Sequence, residues 1–316
     1  MNLFNLFSRV KNPEVIKSER EQVLAHYEFL ACEHGIELVD DIDRGVITVT
    51  NGKRRFLLAS EHFVYAADFV KQFDYYFSTV EPVHLDGYDV QDFSKPGWHI
   101  MRATGERFYF TSTAEDIRAT QDYVAQLTPQ PGDVVIDVGA YCGLSALTFS
   151  RAVGPKGRVI AVEPDPRNQE ALRLNLQNIE NIEIVNRAVA GRRGEVLFLS
   201  EGNMGAAIVA RATGRNKTIP VQAVTLKDVI ENANLSKVDI IKIDIEGAEY
   251  EVIDASEELI ISLGARWSVE LHTDLVTSRP IDVERVRKVF DRCGYKSWLQ
   301  DAGAHVGAPT IFAWPR

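Results

Sequence analysis

From Pro131 onward the chain alternates short β-branched runs with stretches of helical spacing, and this pattern points to a parallel sheet with helices on both faces. The run "DVVIDVGA" predicts a strand, followed by a helix over Gly143 to Val153. "GRVIAVEPD" predicts the next strand and "PRNQEALRLNLQNI" its helix. "IEIVNRAV" is a third strand, "GEVLFLS" and "TIPVQAVTLKDVI" an inserted pair with a short helix, and "VDIIKIDIEG" a fourth core strand. "YEVIDASEELI" and "RWSVELH" supply a helix and a fifth strand. After the helical run "DVERVRKVFDRCG", the segments "YKSWLQ" and "PTIFAWP" are joined by a loop alone, so these two strands must be antiparallel.

The preceding residues follow a different plan. "PEVIKSEREQVLAHYEFLACE", from Pro13, has the spacing of an amphipathic helix with proline in its first turn. Short apolar runs follow, "GVITVT", "RRFLLA" and "HFVYAADFV", and Asn51-Gly52 between the first two predicts a hairpin. The expected organisation is an N-terminal α+β extension over 1–106 and an α/β domain over 107–316. The aromatic-rich "HFVYAADFVKQFDYYF" reads as core packing, a substrate lid or a dimer surface, which leaves a homo-oligomer open. Phe4, Leu6 and Phe7 read as a frayed end or packed cap rather than a membrane anchor.

Composition narrows the classes of function. With 45% hydrophobic and 25% charged residues among 316, the chain has the make-up of a soluble globular protein. A formal charge of −10 argues against a surface that tracks phosphates, so nucleic acid is not an expected partner. Cys32, Cys142 and Cys293 are odd in number and lack CxxC spacing, which argues against a disulfide framework or zinc site. The opening residues lack the features of a signal peptide and no apolar run is long enough to span a membrane, so a reducing, cytoplasmic location is expected.

The most informative local feature is "VVIDVGAYCG", which ends a buried strand with Asp137, Gly139 and Gly143. There the chain must turn sharply into a helix, and glycine allows both the torsions and close approach of a ligand to the backbone. Glu163, at the end of the neighbouring strand, is placed to accept hydrogen bonds from two ribose hydroxyls, and together these features imply an adenosine-containing cofactor. A dinucleotide site usually carries GxGxxG, but Tyr141 stands at the position of close approach. That substitution and the antiparallel ending favour S-adenosylmethionine over NAD.

With "VIDVGAYCG", "VIAVEPDP", "NRAVAG", "VTLKDVI", "IKIDIEGAEYEVI" and "VELH" in this order, the chain resembles the FkbM family of S-adenosylmethionine-dependent methyltransferases over roughly Arg107 to Arg316. The resemblance implies a Rossmann-like, mostly parallel seven-stranded sheet. It also implies methyl transfer, most often to an oxygen of a sugar or natural product. On that basis Asp137, Gly139 and Gly143, with Ala140 and Tyr141 between the glycines, line the methionine end. Glu163 takes the ribose, and Asn186, Arg187 and Ala188 lie beside adenine. The family commonly has Asn-Ile or Asn-Gly where this chain has Tyr141-Cys142.

Transfer to a hydroxyl needs the nucleophile aligned with the methyl carbon and its proton removed. Asp244 and Glu246 end the fourth strand, and Glu270 and His272 have the same spacing at the end of the fifth. Asp244, Glu246 and His272 are therefore the catalytic candidates, with Asp244 also beside the cofactor. Glu249 reads as an acid complementing a helix N-terminus. Such an edge is also able to hold Mg²⁺, although the sequence has no diagnostic metal spacing and a metal-independent site is preferred. An NAD-linked oxidoreductase and a non-catalytic nucleotide-binding module stand as alternatives. The acceptor expected is a small molecule or glycan, selected by the N-terminal part and the loops around Gly202 to Asn216.

Overall fold

The computed structural model describes residues 13–210, 218–300 and 308–316; Phe4, Leu6 and Phe7, and the end of the loop around Gly202 to Asn216, lie outside them. The chain divides into two compact units, one ending at Ala114 and the other running from Glu115 to Arg316.

In the first unit, a helix over Pro13–Glu33 precedes a five-stranded sheet. The strands Val46–Thr50 and Arg54–Ala59 form the hairpin at Asn51-Gly52, where Asn51 Oδ1 accepts from the amides of Lys53 and Arg54. "HFVYAADFV" is helical, and it buries Phe63, Phe69 and Val70. Phe69 stacks on Phe56 of the sheet at 4.2 Å between centroids, so part of the aromatic run supplies this unit's core. The strand Arg107–Phe110 pairs with Gly97–Ile100 inside this first unit, and the division between units falls after it.

The second unit is built on one sheet of seven strands: β1 (Val134–Val138), β2 (Arg158–Val162), β3 (Ile182–Val185), β4 (Ile240–Ile243), β5 (Arg266–Glu270), β6 (Tyr295–Gln300) and β7 (Thr310–Pro315). Their order is β3-β2-β1-β4-β5-β7-β6, with β7 antiparallel to both neighbours and the other pairings parallel. All four residues of β4 are buried, which explains an apolar run without alternation: a central parallel strand is covered on both faces. Its helices are α1 (Ile117–Leu127), α2 (Leu144–Val153), α3 (Pro166–Leu176), α4 (Leu226–Asn232), α5 (Glu249–Asp254), α6 (Glu257–Leu263) and α7 (Val283–Arg292).

The run "IEIVNRAV", continuous in its sequence pattern, divides. Ile182–Val185 joins the main sheet. Ala188–Val189 pairs instead with Thr218–Val224, in a second, four-stranded sheet that also contains Gly194–Leu199 and Ala207–Ile208. Helix α4 then starts on a capping box in which Thr225 and Asp228 satisfy each other's amides. Among the described residues, no helix is long and apolar enough to cross a membrane.

Candidate functional site

Strand order reverses between β1 and β4, and the crevice beyond the carboxyl ends of such strands is where open α/β sheets bind ligands. The turn from β1 into α2 packs tightly there. Gly139 has φ +83°, and a Cβ on it would stand 1.7 Å from the carbonyl oxygen of Asp244. Only glycine lets these two backbones meet. Tyr141 also has a positive φ, 46°, an uncommon conformation for a large side chain. Its amide donates to Glu163 Oε2 at 3.0 Å, which ties the turn to the end of β2.

Glu163 is buried, and its other oxygen accepts from the amide of Asp165 at 2.8 Å. Burial pushes its carboxyl up to about 8, against the opposing effect of the Asp165 amide. Gln169, also buried, donates to the carbonyls of Glu163 and Pro164 and to Asn186 Oδ1, and so fastens the end of β3 to that of β2. Arg187 is exposed and turns back to the carbonyl of Asn186, while Ala188 is buried in the second sheet. Of the three residues expected beside adenine, Asn186 is the one this network holds. Asp165 caps α3 through the amide of Arg167, and its second oxygen accepts from the amide of Gly202 at 3.0 Å. This places the loop after Gly194–Leu199 at the same end of the sheet.

A buried ammonium sits under the turn. Lys242 Nζ donates to the Gly139 carbonyl at 2.8 Å and lies 3.3 Å from both Asp137 Oδ1 and Asp244 Oδ2. Burial opposes its charge, but Asp137, Asp244, Glu115 and Glu270 outweigh that and hold the lysine above its ordinary range. Asp137 is fully buried; Oδ2 accepts from Ser145 and Oδ1 makes no hydrogen bond. Its ion-pair distance to Lys242 lacks the geometry of a direct hydrogen bond. Glu115 accepts from the amide of Leu144 at the start of α2, and burial pushes its carboxyl up to about 8.

The ends of β4 and β5 converge on one imidazole. His272 Nδ1 is 2.9 Å from Glu249 Oε1, and fully buried Glu249 also accepts from the amides of Ile245 and Gly247. Glu249 therefore does more than complement a helix dipole: it closes the turn after β4 and fixes the ring of His272. The other ring nitrogen, Nε2, faces Glu246 Oε1 at 3.7 Å, Glu270 Oε1 at 3.8 Å and Asp244 Oδ1 at 3.9 Å. Glu246 reaches this position through a left-handed backbone, φ 57°. Burial lowers the proton affinity of the imidazole, but Glu246 and Glu249 outweigh it and raise His272 well above its usual range. Burial pushes Glu246 up to about 8. Glu270 accepts from Tyr123 Oη at 2.6 Å and from the amide of Ala308 at 3.0 Å.

The structure thus brings Asp137, Gly139 and Asp244 together around Lys242, joins Tyr141 to Glu163, and gathers Asp244, Glu246 and His272 into one cluster. Sequence reasoning did not single out Lys242, Glu115, Tyr123 or Gln169. The lysine carried a signal, since a cation inside the apolar run "IIKI" requires buried partners.

The family model described as the methyltransferase FkbM domain matches residues 137–297. The 2-O-methyltransferase NoeI of Sinorhizobium fredii is 26% identical over 153 residues, 43% of this chain and 63% of that protein. The hexuronic acid methyltransferase AglP of Haloferax volcanii is 26% identical over 160 residues, 50% of this chain and 64% of that protein. The chain therefore spans a little under two thirds of the length of these curated relatives. A solved structure, methyltransferase FkbM from Methylobacillus flagellatus, is 14% identical, with a TM-score of 0.44 over 93% of this chain and 59% of that one. The family match begins at Asp137, takes in the turn, Glu163, Lys242 and the His272 cluster, and extends over about half of the sequence: the chain belongs to the FkbM methyltransferase family.

Proposed function

We propose that the protein is an S-adenosylmethionine-dependent O-methyltransferase whose acceptor is a hydroxyl of a sugar, glycan or other small molecule. The observation that carries this reading is the Tyr141 amide bonded to Glu163, which joins the glycine turn and the acid after β2 into one cradle. The residues present fit the cofactor. Glu163 Oε2 accepts the Tyr141 amide and keeps a lone pair for a ribose hydroxyl, while Oε1 accepts from the Asp165 amide and from Asn168 Nδ2. Asp137 Oδ1 lies 3.3 Å from the Lys242 ammonium without a hydrogen bond to it, and so keeps acceptor capacity for the cofactor's ammonium group. The backbone of Gly139, Ala140 and Gly143 completes the methionine end, and Asn186 flanks adenine.

The cofactor supplies a methyl group on a sulfonium, open to in-line displacement by oxygen. The chain's own task is to orient the acceptor and take its proton. Asp244 is the proton acceptor in this reading. Lys242 holds one of its oxygens and leaves the other toward His272 and Glu246. His272, whose ring Glu249 orients through Nδ1, stands beside Asp244 and positions it. The names of NoeI and AglP, which specify a 2-O position and a hexuronic acid, support a sugar hydroxyl as acceptor.

The test is thermal stabilisation by S-adenosylhomocysteine beside NAD, followed by transfer of labelled methyl from S-adenosylmethionine to a panel of hexuronic acids and neutral sugars. A ligand of the native state raises the melting temperature by mass action. Stabilisation by NAD and not by S-adenosylhomocysteine would overturn the reading.

A further inference from the structure

We infer that Asp244 Oδ1, Glu246 Oε1 and His272 Nε2 form a binding site for one divalent transition-metal cation, of which Mn²⁺ is the probe. These three donors lie within 4.8 Å of one another, and each belongs to a half-buried side chain. None of the three atoms makes a hydrogen bond among the described residues. The carboxylate oxygens stand 3.7 and 3.9 Å from Nε2, too far to bond it directly. Neighbouring donors around an octahedral ion are about 3.0 Å apart, given metal–oxygen bonds of about 2.1 Å. The two oxygens thus need to approach Nε2 by less than about 1 Å each.

The atoms behind the donors are held in a way that suits a ligand set. Glu249 accepts from His272 Nδ1, which leaves Nε2 as the outward donor, and Glu249 is itself fixed by the amides of Ile245 and Gly247. A carboxylate behind a ligating histidine is the usual means of orienting the ring and raising its basicity. Lys242 holds Asp244 Oδ2, so Oδ1 alone faces the cluster. Glu270 is otherwise engaged, with Tyr123 on one oxygen and the Ala308 amide on the other, and it stands at the margin. A positive φ at Glu246 costs backbone energy and sets its carboxylate opposite His272.

Two oxygens and one imidazole nitrogen select the metal. Carboxylates suit Mg²⁺, Ca²⁺ and Mn²⁺, whereas imidazole favours first-row transition ions, and Mn²⁺ is the ion common to both groups. The sequence left Mg²⁺ as the lesser alternative, and the imidazole shifts the choice to Mn²⁺ or a similar ion. The site shares Asp244 and His272 with the methyl-transfer reading, and its test reads metal binding alone, so the two can fail separately.

The experiment is titration of the full chain with Mn²⁺, after chelator treatment, reading free Mn²⁺ by electron paramagnetic resonance without cofactor or acceptor. Wild type is expected to bind one Mn²⁺ per chain, with Asp244→Asn, Glu246→Gln and His272→Ala each weakening binding at least about tenfold. Asp254→Asn, in a surface ion pair with Arg285, should leave it unchanged. Should His272→Ala fold poorly, Glu246→Gln decides, because its carboxylate makes no hydrogen bond within the described residues. Absence of Mn²⁺ binding at millimolar concentration, retention of binding by folded Glu246→Gln, or displacement of Mn²⁺ by an equal amount of Mg²⁺ would each overturn the assignment.

Discussion

Lys242 Nζ donates to the carbonyl oxygen of Gly139 across 2.8 Å, so a buried ammonium on β4 supports the first peptide of the turn that follows β1. Its charge is matched by Asp137 and Asp244, each 3.3 Å away. Replacing Lys242 by Met leaves both carboxylates without their cation, and loss of one partner from a buried ion pair costs about 3–5 kcal/mol. Urea denaturation at neutral pH should show a loss of that size. A loss under about 1 kcal/mol would mean that the ammonium is not what holds this turn.

Gly139→Ala tests the close approach of the two strand ends. The new Cβ would collide with the Asp244 carbonyl, and φ at this position is +83°. Strain of this kind costs about 1–3 kcal/mol before any displacement of backbone. The melting temperature should fall, and affinity for S-adenosylhomocysteine should fall further than stability accounts for. Wild-type values for both would show that the turn has room to spare.

Glu163→Gln keeps the shape of the side chain and replaces one acceptor oxygen by an amide donor. Leaving a buried group without its partner costs about 1–3 kcal/mol, so calorimetry should find S-adenosylhomocysteine bound roughly 10–100-fold more weakly. Unchanged affinity would remove Glu163 from the cofactor site.

His272→Ala and Asp244→Asn should each lower kcat by about a hundredfold or more, the scale of a lost proton acceptor or its positioning partner. Asp244→Asn should cost at least as much as His272→Ala, because His272 acts through Asp244. A folded Asp244→Asn within about tenfold of the wild-type rate would remove Asp244 as the proton acceptor.

Stability should fall as pH rises through the neutral range. Burial pushes Glu115, Glu163 and Glu246 up to about 8, whereas in the unfolded chain each titrates near 4.5. Between those values the folded state keeps protons that the unfolded state has released, so each contribution is complete below about 4.5 and lost above about 8. His272, raised above its usual 6.5 by Glu246 and Glu249, acts in the same direction. Without cofactor, the melting temperature should be higher at pH 5.5 than at pH 8.5, with Glu163→Gln narrowing the difference. A stability that rises across this interval would contradict the burial of these carboxyls.

The sheet was legible because its elements have local causes. β-Branched runs, glycine turns and helical spacing specified the seven strands, and a loop without a helix announced the antiparallel ending. The joining of Tyr141 to Glu163 was not legible, since it depends on a backbone amide whose direction follows from a positive φ. Glu249 looked like a surface helix-end acid because the five residues after Gly247 show nothing of the imidazole that β5 brings to it. "IEIVNRAV" misled for a related reason: one continuous pattern served two sheets, and the break at Asn186-Arg187 is set by pairing of Ala188 with Ala223.

Asp165 divides its two carboxylate oxygens between the start of α3 and the amide of Gly202, 37 residues further along the chain. A side chain shared in this way makes one opening event of two. Unwinding the first turn of that helix releases the distant loop, so the amides of Arg167 and Gly202 should exchange their hydrogens with deuterium at a common rate, as members of one cooperative unit.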